Sequence, residues 1–214
     1  MLRDNGREGG ASARERKQEL RAAALRKRRS IAPGQLAELS SKVEANLLSL
    51  VEYQAARLLV SYCAKDDEVQ TRDIIEKALE EGKRVAVIVT DVPSKMLSFS
   101  EIGSLGELAP GPFGILEPRP GRLRPVPILQ ADVMLVPLVA WDEDGHRLGY
   151  GAGYFDRALA KAGKVTKVGL ALESQRLSQI PESWHDVPLD VIVTEKRVVR
   201  PNGKAFKNSG RGSK

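Results

Sequence analysis

A chain of 214 residues, 42% hydrophobic and 29% charged, is long enough for one domain with a substantial core. It holds no apolar run of the roughly 18 residues that span a membrane, no apolar secretory segment near its polar N-terminus, and one cysteine, Cys63, which excludes an internal disulfide or a cysteine-rich metal site. The formal charge of +6 sits at the ends: residues 1–29 hold ten Lys/Arg against four Asp/Glu and residues 196–214 seven against none, leaving 17 basic and 24 acidic side chains between them.

A cytoplasmic protein, away from membranes, follows as the expectation. An acidic body with basic ends does not make the basic stripe that nucleic-acid binding needs, so nucleic acid is not expected as a partner. A monomer is expected.

Residues 1–12, "MLRDNGREGGAS", are polar and glycine-rich and read as a disordered tail. Residues 13–29 are strong helix formers with a narrow apolar stripe at Leu20 and Leu25. Pro33 suits the first turn of a second helix, along which Leu36, Leu39, Val43, Leu47 and Leu50 recur at helical spacing. "ARLLVSYC" reads as a buried strand. "TRDIIEKALEEGK" follows as a helix with Thr71 as N-cap, Ile74, Ile75 and Leu79 on one face and Gly82 at its stop. "RVAVIVT" is a second strand. Strand, helix and strand with short connections make a crossover unit of a parallel sheet.

Residues 93–127, rich in Gly and Pro, read as an irregular region with short extended pieces at "MLSFS" and "GILEP". "ADVMLVPLVAW", apolar on both faces, is a central strand. The stretch "GHRLGYGAGYFDRAL" then leads into a helix over 154–161, stopped by Gly163. Strands "KVTKVGLAL" and "DVIVTE", joined by a polar turn, complete the sheet, and residues 201–214 form a second disordered, basic tail. The fold class is α/β: a mostly parallel, Rossmann-like open sheet flanked by helices, in a single domain over residues 13–200.

Chemistry is expected first at the glycine stretch. Glycines at 149, 151 and 153, between a central strand and a helix, free backbone N–H groups to face an anion. The spacing is neither G-x-x-x-x-G-K-[ST] nor G-x-G-x-x-G, so a phosphate cradle and a tight structural turn both stay open. Arg147 could pair with phosphate oxygens, and Asp156 could hold Mg²⁺ together with ligand phosphates. Lys17 and Arg21, four apart on one helix, could clasp an anion or form a solvated basic face. Asp190, at the entry of the last strand, is a second candidate metal carboxylate. His185 and Asp186 could act as a base, yet no nucleophile motif accompanies them.

Five segments carry a resemblance that covers residues 17–195. "KQELR" is similar to a K-x-x-x-R helix motif, "DEVQT" to a short acidic segment after the first strand, and "GILEP" to a mid-chain Glu-Pro element. "VPLVAWDEDGHRLGYGAGYFDRAL" resembles the signature P-x-x-x-[FW]-D-x-x-G-x-R-L-G-x-G-x-G-[YF]-[YF]-D, and "HDVPLDVIVTE" a C-terminal segment. Together they resemble the 5-formyltetrahydrofolate cyclo-ligase (methenyltetrahydrofolate synthetase) family.

The resemblance implies an ATP- and Mg²⁺-dependent enzyme that converts 5-formyltetrahydrofolate to 5,10-methenyltetrahydrofolate with release of ADP and phosphate. It implies ATP contacts from Lys17, Arg21, Arg147, Leu148, Gly149, Tyr150, Gly151, Ala152, Gly153, Tyr154 and Phe155. Folate contacts would come from Cys63, Glu68, Met96 and residues 150–154, metal ligation from Asp156 and Asp190, and catalytic roles from Arg147 and Tyr154. Ala152 stands where the family often has glycine or lysine, and Phe155 where it often has tyrosine. Two alternatives stand beside this reading: an ATP-dependent phosphotransferase on another small amide or acid, and a nucleic-acid-associated protein using its basic ends.

Overall fold

The computed structural model describes residues 8–65 and 67–201. The expected disorder of residues 1–7 and 202–214 lies outside the described residues. Helix α1 spans Glu8–Arg29, so the helix begins within the segment read as a tail. Among the described residues, no helix is long and apolar enough to cross a membrane.

After α1 come α2 (Pro33–Leu48), the short α3 (Val51–Ala55) and β1 (Leu58–Ser61). Pro33 stands at the start of α2, and Leu36, Val43 and Leu47 are buried along one face. Leu39 is only partly buried at the margin of that face. α4 (Arg72–Glu80) connects β1 to β2 (Arg84–Asp91), which pairs parallel to β1 with Leu58 opposite Arg84. Thr71 precedes α4, but its hydroxyl does not cap the helix. It donates to Tyr62 O at 2.7 Å and accepts from Ala64 N at 3.2 Å, tying down the turn that follows β1. Gly82, at φ +76°, ends the helix in the left-handed region.

The segment read as irregular is more ordered than its Gly and Pro content implies. β3 (Met96–Ile102) is a full sheet member, antiparallel to β2 over seven residue pairs, and β4 (Leu108–Pro110) with β5 (Leu116–Pro118) forms a hairpin. Strand pairing by a tight turn at residues 92–95 overrides weak local propensity, since backbone ladders do not need apolar side chains on both faces. The long apolar run "ADVMLVPLVAW" is two strands. β6 (Val133–Pro137) stays in the main sheet, and β7 (Ala140–Trp141) leaves it to pair with β8 (Arg147–Leu148). Pro137, which lacks an N–H, ends β6.

α5 (Tyr154–Leu159), β9 (Thr166–Leu170), β10 (Val191–Val193) and the edge strand β11 (Val198–Val199) complete the chain. The sheet order is β11-β10-β9-β6-β1-β2-β3, with the five inner strands parallel and the two edges antiparallel. β1 and β6 are buried at every residue, as inner parallel strands covered on both faces should be. From β1 the chain steps through α4 to one side, and from β6 through α5 to the other. The switch point between them is where ligand cavities form in open parallel sheets.

One buried ion pair fixes the end of the described chain. Arg200 Nη2 donates to Glu52 Oε2 at 3.0 Å and its Nη1 to Oε1, with the Glu52 side chain only 2% exposed. Burial pushes the Glu52 carboxyl up, but bonds from Arg200 and the backbone and the Arg200 charge bring it below its ordinary value. Arg200→Ala is expected to cost about 2–3 kcal/mol in urea unfolding at neutral pH, less than a fully buried pair because Arg200 is partly solvated. A carboxyl depressed in the fold stabilises above the unfolded carboxylate range and loses that contribution as pH falls through its folded value. The gap between variant and parent should therefore close in acid.

Candidate active site

A cavity of about 1030 Å³ opens at the carboxyl ends of β1 and β6. Tyr62 and Cys63, just past β1, and Pro137, ending β6, form its floor. α1 contributes Arg14, Lys17, Gln18 and Arg21 to one wall, and β2, β3 and the β4–β5 hairpin contribute Ile88, Thr90, Leu97, Phe113 and Ile115 to another. Residues 147–156 run between these walls. The cavity's volume lies at the upper end of the roughly 300–1,000 Å³ typical of ligand pockets.

The β7–β8 ribbon delivers the glycine loop, and Asp142 organises its turn. Asp142 Oδ1 accepts from the backbone N–H of Asp144 (3.1 Å) and His146 (3.0 Å), while Oδ2 accepts from Ile180 N (2.9 Å) and meets His146 Nδ1 at 3.1 Å. Asp142, Asp144 and His146 have metal-like spacing, but Asp142 is 1% exposed and spends both oxygens on these bonds. They build a turn.

Within the loop only two of the three glycines are required by conformation. Gly151 and Gly153 have φ of +96° and +73°, whereas Gly149 is not in that region and has open space around its Cβ position. A Cβ on Gly151 would also lie 3.1 Å from the Arg21 guanidinium carbon, and Arg21 Nε donates to Gly149 O at 2.7 Å. The loop and Arg21 are therefore packed against each other. Gly151→Ala is expected to lose about 1–2 kcal/mol of stability, from the left-handed strain and from the clash with Arg21, read by thermal unfolding.

Arg147 is nearly buried. Its Nη2 donates to Asp156 Oδ1 at 2.6 Å and its Nη1 to Val187 O at 2.6 Å. Burial lowers its pKa while Asp156 and Asp186 oppose the shift, and an arginine so placed stays charged. Lys17 Nζ donates to Ser183 Oγ at 2.8 Å and forms an ion pair with Asp186, pinning the 182–186 loop across the cavity rim. Asp186 and Glu182 thus line the cavity as well as Asp156.

Asp190 does not. It stands level with Lys167 near the start of β9, where its Oδ2 accepts from Lys167 N at 3.0 Å and meets Lys167 Nζ at 2.7 Å. A residue that opens a parallel strand lies at the opposite end of the sheet from one that closes it, and the cavity opens at the closing ends. Asp190 therefore does not line the cavity that Asp156 borders. Met96 also leaves the cavity lining: side chains alternate along β3, and it is Leu97, opposite Thr90, that faces the site.

The other expected residues are brought together. Glu68 is buried, its Oε1 accepting from Tyr150 Oη at 3.0 Å and its Oε2 from Lys65 N at 2.9 Å, and burial pushes its carboxyl upward. Tyr154 opens α5 with its ring edge-on to Phe113 at 6.3 Å and the Arg157 cation 5.6 Å from its centroid. Leu148 packs in a small core beside Ala24 and Ala140, Ala152 O accepts from Arg157 at 3.0 Å, and Phe155 leans on the main core. Cys63 is buried, and burial with nearby Glu117 pushes its thiol up to about 12, so it forms wall and not nucleophile. His185 lies largely exposed, edge-on to Trp184, and among the described residues no hydroxyl or thiol makes a hydrogen bond to its ring.

Lys65, Ile88, Thr90, Ile115 and Phe113 also border the cavity. The aliphatic ones carry no sequence signal, because a strand residue facing a ligand reads like one facing a core. Phe113, non-glycine at φ +58° and 59% exposed, stands out only in three dimensions.

Fold and site together define an open parallel α/β enzyme whose cavity lies at the switch point beneath a left-handed glycine loop ringed by arginines. A model of the 5-formyltetrahydrofolate cyclo-ligase family matches residues 13–195. Among curated proteins, the chain is 30% identical over 175 residues to 5-formyltetrahydrofolate cyclo-ligase of Escherichia coli, covering 80% of this chain and 96% of that one. It is 32% identical over 185 residues to the Mycolicibacterium smegmatis enzyme of the same name, covering 85% and 94%. The solved structure of 5,10-methenyltetrahydrofolate synthetase from Aquifex aeolicus superposes with a TM-score of 0.78 at 34% identity, covering 92% of this chain and 99% of the other. The chain belongs to the 5-formyltetrahydrofolate cyclo-ligase family, and it is a ligase.

Proposed function

We propose that the protein converts 5-formyltetrahydrofolate to 5,10-methenyltetrahydrofolate at this cavity, using ATP and Mg²⁺ and releasing ADP and phosphate. The observation that carries the reading is that one loop reaches both walls. Gly151 lies against Arg21, Tyr150 bonds to Glu68, and Tyr154 meets Phe113. A phosphoryl group crossing between two bound molecules needs such a junction.

Formamide oxygen is a poor leaving group, and phosphorylation makes it a good one. The formyl oxygen attacks the γ-phosphorus, the bond to the β-bridging oxygen breaks, and ADP departs. N10 then attacks the activated formyl carbon, loses its proton, and phosphate leaves with the original formyl oxygen as the C–N bond closes the ring. Phosphoryl transfer of this kind asks for positioning and charge neutralisation and needs no protein nucleophile.

In this reading Arg21, Arg147 and the loop N–H groups hold the triphosphate. Lys17 has three donors, of which two are engaged by Ser183 and Asp186, and the third is free to serve phosphate. Glu68 accepts the amide-like N–H groups of the pterin as a fork, between walls of Cys63, Leu97 and Ile115. Mg²⁺, when bound, supplies charge screening to the phosphates. Asp156 borders the cavity with its side chain 30% exposed, which fits an ion held by one or two carboxylates and ligand phosphates. We place the protein in the cytoplasm as a monomer, with Cys63 kept as a thiol.

The test mixes protein, MgATP and 5-formyltetrahydrofolate and follows the absorbance of the methenyl product. With substrate labelled by ¹⁸O at the formyl group, label should appear in inorganic phosphate. Product without label in phosphate would remove the phosphorylation step, and no product at all would remove the activity.

A further inference from the structure

Arg28, at the C-terminal end of α1, has no part in the cavity lining and is 3% exposed. Its Nη1 donates to Leu138 O at 3.2 Å, its Nε and Nη2 to Asp67 Oδ2 at 3.2 and 2.9 Å, and Nη2 also to Tyr150 Oη at 2.6 Å. The guanidinium carbon lies 5.4 Å from the Tyr150 ring centroid. A guanidinium only donates, so the Tyr150 oxygen accepts from it and must turn its own proton elsewhere. That proton points to Glu68 Oε1 at 3.0 Å, while Glu68 Oε2 is taken by Lys65 N at 2.9 Å. Each carboxylate oxygen keeps a second lone pair, and Glu68 lines the cavity.

We propose that Arg28 is a positioning residue: by donating to the Tyr150 hydroxyl it obliges that hydroxyl to donate to Glu68, and so fixes the Glu68 carboxylate as the two-pronged acceptor for the folate ring. The inference rests on the assignment of Glu68 to the folate made above. It adds a residue that touches neither reactant and gives Tyr150 a directed role in folate recognition besides its place in the nucleotide loop.

The same relay acts on charge. Burial pushes the Glu68 carboxyl up, while the Lys65 N–H, the Tyr150 hydroxyl and the Arg28 charge pull it down, and Asp67 pushes it up again. The Lys65 ammonium stands 5.7 Å from the Tyr150 ring centroid, and buried Tyr62 also feels Glu68, Arg28 and Tyr150. Loss of Arg28 removes a cation and the orienting bond together. Glu68 would then hold its proton to higher pH, and a protonated carboxyl offers one donor where the fork needs two acceptors.

The experiment measures KM for 5-formyltetrahydrofolate and for ATP from pH about 5.5 to about 8.5 in the parent and in Arg28→Met, Tyr150→Phe and Glu68→Gln. Arg28→Met and Tyr150→Phe should raise the folate KM about tenfold, move the acid limb of its pH profile to higher pH, and leave the ATP KM within about twofold. Tyr150 is half-exposed, so Tyr150→Phe keeps the fold and carries the test if Arg28→Met does not accumulate. A Tyr150→Phe enzyme with the parent's folate KM and acid limb overturns the inference, as does an Arg28→Met enzyme that merely loses folded protein with both KM values unchanged. Glu68→Gln should raise the folate KM and abolish the acid limb. If it leaves the folate KM unchanged, the assignment of Glu68 to the folate falls, separately from the relay.

Discussion

Arg147→Met is expected to lower kcat by about two to three orders of magnitude, the scale of losing one preorganised cation at a transferring phosphoryl group. Arg147 is the most enclosed cation at the cavity, with its side chain 3% exposed, so its charge is little screened by water. Removing it also leaves Asp156 without its 2.6 Å partner and Val187 O without a donor, which will cost stability. Two measurements separate the effects. Thermal unfolding reads the structural loss, and Arg147→Lys keeps the charge while giving up one of two simultaneous hydrogen bonds. If the role is electrostatic, Arg147→Lys should recover part of kcat. If Arg147 only supports the fold, both variants should show kcat in proportion to the folded fraction.

Asp156→Asn should cut turnover about tenfold or more and move the Mg²⁺ titration to higher concentration. The substitution preserves shape, and its amide oxygen can still accept from Arg147, so the change isolates one negative charge. A variant with the parent's Mg²⁺ profile and a lowered melting temperature would reduce Asp156 to the ion-pair partner of Arg147. Asp190→Asn is the matched control. Its carboxylate lies with Lys167 at the far end of the strands, so stability should change and the Mg²⁺ profile should not.

Local pattern made much of this fold legible. Helical spacing marked α2 and α4, apolar runs marked β1, β2 and β6 as buried strands, and β9 and β10 were legible as further strands, because each element must bury a face whatever surrounds it. β3 was less legible: its ladder to β2 depends on a turn and on backbone partners. The break between β6 and β7 hides inside one apolar run, since periodicity records burial and not which neighbour provides it. The antiparallel edges and the short α3 leave little trace for the same reason.

At the site the division is sharper. Glycine spacing, the flanking Arg147 and Asp156, and the family-like signature pointed to the loop that lines the cavity, because those features belong to consecutive residues. That Asp190 lies away from the cavity was decided by the direction of the parallel strands, while Asp186 reaches the cavity through its ion pair with Lys17. The relay from Arg28 through Tyr150 to Glu68 joins residues 122 and 82 positions apart in the chain, and hydrogen-bond direction exists only once folding has set them side by side. The sequence by itself determined which groups are present and which segments hold them. The tertiary structure alone decided which face one another, because contacts of that separation are fixed by packing and topology and not by any local preference.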